Sequence, residues 1–292
     1  MAIPRIASYP LPTAADMPAN KVGWTPDPAR AVLLVHDMQQ YFVDFYDSTQ
    51  APVPELLANI KKLIVRCRAL GIPVAYTAQP GNQDPKDRAL LTDFWGTGLV
   101  ADPAITDIVA ELAPAPIDTV FTKWRYSAFK RSNFESWIKD AGRDQLIICG
   151  VYAHIGCLST ALEAFMLDIQ PFLVGDALGD FSRDEHLMAL NYAAGRCARV
   201  ATLADMLGAL PLPALTPALV RLDVAAQMQL SPDELFDDDN LLLLGLDSIR
   251  LMALVERWRA LGAEASFVDL AETPTLAAWT SRLCGQREPA HA

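Results

Sequence analysis

Ala31-Val32-Leu33-Leu34-Val35 is an unbroken apolar run that stops at His36-Asp37, where the chain turns polar. A short, β-branched-rich run of this kind reads as a strand buried on both faces. Val74–Thr77, Thr119–Thr122, Gln145–Gly150 and Pro171–Gly175 repeat the pattern, with Arg199–Thr202 a weaker sixth. Helical spacing fills the gaps at Val53–Ala69, Ile105–Leu112, Asn133–Ala141, Cys157–Asp168 and Arg183–Arg196. Strands alternating with helices predict an α/β fold, a parallel sheet with helices on its faces.

The pattern changes near the C-terminal quarter. Leu207–Pro217 carries three prolines and reads as an extended, semi-rigid linker. Beyond it only helical patterns remain, at Ala218–Leu230, Ser248–Leu261 and Thr275–Leu283, with a short turn at Phe267–Leu270. The expected division is a first domain over 1–208, a linker over 209–217 and a small all-α bundle over 218–287. Most of Leu241–Leu244, Leu246, Leu251, Leu254 and Trp258 are expected in the bundle core, because so small a domain has few other apolar residues to bury.

Composition narrows the function classes. The 292 residues are half apolar and one-fifth charged, which is globular usage. A net charge of −11 argues against a nucleic-acid partner. Residues 213–292 hold twelve acids against six Lys and Arg, so the small domain is the more acidic per residue and suits basic protein partners. No apolar run approaches the roughly 18 residues of a membrane span, and Met1-Ala2-Ile3-Pro4-Arg5 lacks a signal peptide's pattern. Five cysteines (67, 149, 157, 197, 284) with no C-x-x-C spacing predict a reduced, cytoplasmic protein.

In open α/β sheets, ligands bind beyond the carboxyl ends of the strands. The residues there are Asp37, Gln79, Lys123 and the loop Gly150-Val151-Tyr152-Ala153-His154-Ile155-Gly156-Cys157. An acid, an amide, a lysine and a glycine-bounded loop on one edge would make a polar pocket. Singly, Asp37 could cap a turn and Lys123 could be a surface charge. His36 and His154 have no H-x-x-x-H or D-x-H partner and are expected as packed, hydrogen-bonded side chains, with no catalytic metal. Ser182, with Glu185 three positions on, reads as a helix cap. In the small domain, Gly245-Leu246-Asp247-Ser248 opens a helix behind an acidic run at Asp233, Glu234, Asp237, Asp238 and Asp239. Asp247 or Ser248 could simply cap it, but a serine there also lies near the positive end of the helix dipole.

His36-Asp37-Met38-Gln39, Tyr76-Thr77-Ala78-Gln79, Lys123-Trp124-Arg125-Tyr126-Ser127-Ala128-Phe129 and Gly150–Cys157 resemble the isochorismatase-like hydrolases. With the G-L-D-S segment added, the chain resembles the bifunctional isochorismatase–aryl carrier proteins of catechol siderophore assembly. The resemblance implies 4'-phosphopantetheine on Ser248, with Ile249, Met252 and Phe267 read by partner enzymes. It implies isochorismate as substrate, Asp37 as the acid, and Lys123 and Arg88 as counter-charges for two carboxylates. Phe42, Gln79, Trp95 and Tyr152 would complete the wall, and Gly156 would leave room for the substrate's side chain. A phosphopantetheinyl transferase, an aryl-acid adenylating ligase and a synthetase condensation domain are the implied partners, and a homodimer the implied state.

Amidases of the same family use a cysteine six residues after the loop's first glycine, a position held here by Gly156. Cys157 lies one place on, about 100° round a helix, and is expected as a packed cysteine; a cysteine amidase is the alternative reading. A catalytically dead scaffold for the carrier is a third. Vinyl ether hydrolysis needs a positioned acid and no covalent intermediate. Burial would help Asp37 hold its proton and a charged Lys123 would oppose it; the sequence leaves these two effects opposed.

Overall fold

The computed structural model describes residues 3–285, so Met1, Ala2 and the expected domain end at 287 lie outside them. The described residues form two compact units, one ending at Pro211 and the other beginning at Leu212.

In the first unit, six parallel strands form one sheet. They are β1 (Ala31–His36), β2 (Val74–Ala78), β3 (Thr119–Thr122), β4 (Gln145–Val151), β5 (Gln170–Gly179) and β6 (Arg199–Ala201). Their order is β3-β2-β1-β4-β5-β6. The connections run outward from β1 through β2 and β3, then cross back to β4, making the β1–β4 boundary the topological switch point.

Strand β1 shows why the sheet is covered twice. Leu33 and Val35 face one core with Leu56, Ile60 and Leu63 of helix α1 (Val53–Ala69). Val32 and Leu34 face the other with Phe134 and Ile138 of α2 (Phe134–Asp140), Ala161 of α3 (Leu158–Met166) and Leu190 of α4 (Arg183–Arg196). In α1 the spacing of Val53, Leu56, Ile60, Leu63, Ile64 and Cys67 places all six on one buried stripe. Each such leucine or isoleucine contributes about 2 kcal/mol by leaving water. The expected parallel sheet flanked by helices is therefore what this unit forms, although three local expectations change.

Ile105–Leu112 is not one helix. It breaks into short turns at Pro103–Thr106 and Ala110–Leu112, because the backbone between them pairs with the segment after β1. Gln39 and Ile108 form an antiparallel bridge, and the Gln40 and Val109 N–H groups donate to Asp107 and Met38 at 2.9 Å. Strand β5 runs to Gly179, past the end of its apolar run. The Asp176 side chain accepts from the Leu203 N–H at 2.6 Å, which lets a charged residue sit in the strand. The proline-rich stretch also starts later than expected. Helix α5 (Leu203–Ala209) is capped by Thr202 in a capping box with Asp205, and Arg66 donates to the carbonyls of Leu207 and Leu210 at its far end. Ser182 caps α4 as expected, though its hydroxyl donates to the Glu185 carboxylate.

The second unit contains α6 (Pro217–Met228), α7 (Ser248–Ala260), α8 (Phe267–Glu272) and α9 (Leu276–Cys284). Leu241, Leu246, Leu251, Leu254 and Trp258 are buried, with Trp258 and Trp279 packed edge to face at 5.8 Å. Leu242, Leu243 and Leu244 are exposed instead of buried. The turn leading into α7 points Leu241 and Leu246 inward and leaves the three residues after Leu241 outside. Among the described residues of the chain, no helix is long and apolar enough to cross a membrane.

Gly150 pairs with His36 across the switch point, and a Cβ there would stand 2.2 Å from the His36 carbonyl oxygen at a φ of +112°. Only glycine allows that approach. Gly150→Ala should therefore destabilise the first unit by on the order of 3 kcal/mol in urea unfolding, while the helical unit's transition stays unchanged.

Candidate active site

A cavity opens at the switch point. All eight residues singled out for the hydrolase domain line it: Asp37, Phe42, Gln79, Arg88, Trp95, Lys123, Tyr152 and Gly156. Strand order explains the convergence. Asp37 follows β1, Gln79 follows β2 and Lys123 follows β3, so three adjacent strand ends deliver acid, amide and ammonium side by side. The loop after β4 supplies Tyr152 and Gly156.

Asp37 and Lys123 form a buried ion pair, 4% and 3% exposed, with Lys123 Nζ 2.8 Å from Asp37 Oδ2. The other carboxylate oxygen accepts from the Thr77 hydroxyl at 2.6 Å, and Thr77 in turn accepts from the Asp37 N–H at 3.1 Å. Asp37 has a φ of +49°, a left-handed conformation that aspartate tolerates better than most residues. Burial raises its pKa, but the charge of Lys123 and the hydrogen bonds from Lys123 and Thr77 outweigh it. The net direction is down, which favours the carboxylate form of Asp37 in the free site.

Arg88 is buried, yet no carboxylate lies within salt-bridge distance of it among the described residues. Its Nε donates to the Gly96 carbonyl at 2.5 Å and Nη2 to the Trp95 carbonyl at 3.4 Å, while Nη1 has no protein partner. Burial lowers its pKa, but a guanidinium remains charged. A buried cation that lines a cavity and keeps one donor unsatisfied fits an anionic ligand.

The aromatic wall is fixed by its own polar atoms. Tyr152 donates its hydroxyl to the Phe42 carbonyl at 2.7 Å, so it presents a ring to the cavity. Trp95 Nε1 donates to the Tyr126 hydroxyl at 2.8 Å. Phe181 packs on Tyr152 at 4.6 Å and on Trp95 at 6.0 Å between ring centres. Gln39 clamps the backbone of Gln79 from both sides, at 2.7 Å and 2.9 Å, which leaves the Gln79 side chain to the cavity.

Sequence reasoning did not assign roles to Thr77, Gln39, Tyr126 or Phe181. The first three stand inside the quoted motifs, where their spacing beside Asp37, Gln79 and Lys123 was the available signal. Phe181 reaches the cavity only through the unforeseen length of β5. Beside it, Asp180 is fully buried and binds His154 Nδ1 at 2.5 Å. Burial lowers the His154 pKa, but Asp180 and Glu185 raise it further.

His36 and His154 are hydrogen-bonded side chains, and no group of three or more His, Cys, Asp or Glu able to hold a metal occurs among the described residues. Cys157 does not line the cavity. It is fully buried in the core of the opposite sheet face, where burial pushes its thiol well above the ordinary range. Gly156 lines the cavity, and the side its missing Cβ would occupy is taken by the His36 ring.

In the helical unit, Asp247 caps α7, accepting from the Arg250 N–H at 2.8 Å. That leaves Ser248 exposed at the first helical position. Gly245, with a φ of +105°, makes the turn before it. Ile249 and Met252 are exposed beside the serine, whereas Phe267 is half-buried and its neighbour Val268 is exposed.

An α/β hydrolase unit with an acid–lysine pair, joined to a helical unit presenting a helix-opening serine, is the class these features define. Residues 31–205 match the isochorismatase domain and 218–283 match the phosphopantetheine attachment site, and the chain belongs to the isochorismatase family. It is 55% identical to an isochorismatase of Bacillus subtilis, across 97% of this chain and 96% of that protein. It is 52% identical to enterobactin synthase component B of Escherichia coli, across 96% and 97%. A cysteine hydrolase structure from Pseudomonas syringae superposes with a TM-score of 0.60 at 21% identity, covering 66% of this chain and 97% of that one, which shows the shared fold.

The pair's energetics can be checked directly. Asp37, with a depressed pKa, contributes stability above the unfolded carboxyl value near ~3.9 and loses it as pH falls through the folded value. Lys123→Met strands that carboxylate. It should cost about 3–5 kcal/mol at pH 7, and the deficit should shrink toward pH 5 as the unpaired acid takes up a proton. Urea unfolding at the two pH values reads both effects.

Proposed function

We propose that the first unit hydrolyses the vinyl ether of isochorismate to 2,3-dihydro-2,3-dihydroxybenzoate and pyruvate. The second unit carries an aryl acid, 2,3-dihydroxybenzoate, as a thioester for nonribosomal siderophore synthesis. One observation carries the hydrolase reading: an acid paired with Lys123 shares a cavity with a second cation, Arg88, that pairs with no carboxylate, and no cysteine, serine or threonine lines that cavity among the described residues. That arrangement suits a dianionic substrate and proton transfer without an enzyme-bound intermediate.

The chemistry follows from the charges. Arg88 and Lys123 receive the substrate's carboxylates, with Arg88 offering its free Nη1. A carboxylate bound at Lys123 competes with Asp37 for that cation, so the Asp37 pKa rises and the carboxyl takes up a proton. Asp37 gives this proton to the terminal CH2 of the enolpyruvyl group, leaving an oxocarbenium ion at the ether carbon. Water adds there and returns a proton to Asp37. The hemiketal then collapses: its hydroxyl proton is lost, the carbon–oxygen bond to the ring breaks, and the ring oxygen is protonated. One water is consumed and the acid is regenerated. Phe42, Trp95 and Tyr152 shield the oxocarbenium ion, and Gln79 orients the substrate.

Ser248 fits a phosphodiester. It is exposed, its capping role is filled by Asp247, and it stands at the N-terminus of a 13-residue helix. The phosphopantetheine thiol would supply the thioester linkage. A phosphopantetheinyl transferase, an aryl-acid adenylating ligase and a synthetase condensation domain read the exposed Ile249 and Met252 beside the acidic loop. The chain works in the cytoplasm, and the hydrolase unit pairs as a homodimer.

Two measurements test this. Wild type should release pyruvate from isochorismate, and Asp37→Asn should lower kcat at least about 100-fold while Cys157→Ala lowers it little. With a phosphopantetheinyl transferase and coenzyme A, the intact mass should rise by one phosphopantetheine in wild type and stay constant in Ser248→Ala. A wild type that releases no pyruvate would exclude the vinyl-ether reading.

A further inference from the structure

The loop after β4 brings its backbone against His36 twice. Gly150 meets the His36 main chain, and Gly156 meets its ring. A Cβ on Gly156 would stand 2.2 Å from His36 Cε1, 2.9 Å from Nε2 and 3.1 Å from Nδ1. No real side chain tolerates such contacts, and His36 has nowhere to go. Its ring is fully buried and tied through Nδ1–H to the Val151 carbonyl at 2.8 Å. The backbone beneath it is locked in register with Gly150.

The location gives this packing chemical meaning. His36 and Gly156 both line the cavity, and His36 Nδ1 is 3.8 Å from Asp37 Oδ2. A side chain at 156 would need the volume the His36 ring now fills, which adjoins Asp37 and, through it, Lys123, where a nucleophile would have both a base and a cation at hand. We propose that His36 determines the reaction class: its ring fills the volume that a nucleophilic side chain at position 156 would need, and so reserves the site for direct addition of water. The inference rests on the vinyl-ether reading for why a nucleophile is superfluous, and its geometry stands without it.

His36 is held in this position by polar contacts that an aliphatic side chain would lack, with Nδ1–H donating to the Val151 carbonyl and the Tyr126 backbone also acting on the ring. Burial pushes the His36 pKa down to about 4, with Asp37 opposing, so the ring stays neutral beside the ion pair at working pH.

The test is a double-mutant cycle in the full chain, using Gly156→Cys, His36→Ala and their combination. Gly156→Cys alone should lower Tm by on the order of 10 °C or prevent folding. The combined variant should fold and recover most of that loss, since the thiol then occupies the vacated space. The introduced thiol should alkylate with iodoacetamide at pH 7, read by peptide mass, while Cys157 in the same sample stays unmodified. Additive Tm losses, a combined variant that does not fold, an unreactive introduced thiol, or a Gly156→Cys protein as stable as wild type would each overturn the proposal. None of these readouts uses isochorismate, so failure of the hydrolase reading would show separately, as wild type without pyruvate release.

Discussion

The buried contact between Asp37 and Lys123 is the constraint around which the hydrolase unit is arranged. Two opposite charges in a dry site cost several kcal/mol each in lost hydration, and mutual attraction offsets this only with good geometry and extra hydrogen bonds. Thr77 supplies the extra bond, and the three residues come from three neighbouring strands. Each member of this cluster therefore depends on the parallel register of β1, β2 and β3. That dependence also fixes the chemistry. An isolated buried acid would hold its proton permanently, whereas one paired to a lysine holds or releases it according to what else binds the lysine.

Arg88 is the second cation of the cavity. Its guanidinium is held by two backbone carbonyls, which orient it but do not neutralise it. Before substrate arrives, the cavity thus contains one satisfied cation and one unsatisfied one. In the proposed mechanism a dianion satisfies both and displaces the carboxylate of Asp37 from sole possession of Lys123, so that recognition and proton loading are one event. The helical unit follows different physics: Asp247 takes the helix cap and leaves Ser248 exposed at the first helical position.

Much of this was legible in the amino-acid sequence because parallel sheets write their strands as apolar runs and place function at the run's polar end. His36-Asp37, Gln79 and Lys123 follow that grammar, and so the cavity's charged edge could be foreseen. What failed were features set by tertiary contacts. Ile105–Leu112 has helical spacing, but Gln39 and Met38 offer its backbone a competing partner. Leu207–Ala209 lies next to three prolines yet stays helical, because Arg66 caps the carbonyls at that end. The Gly156–His36 packing joins residues 120 positions apart, and only coordinates reveal which side of a glycine is already filled.

The central claim is that Asp37 is ionised in the free site and acquires its proton as the substrate binds. Calorimetry at pH 7 with a saturated ether analogue of isochorismate, in buffers of differing ionisation enthalpy, measures that proton directly. Wild type should take up about one proton per site on binding, and Asp37→Asn should take up none. Binding without proton uptake in wild type, or equal uptake by both proteins, would contradict the account.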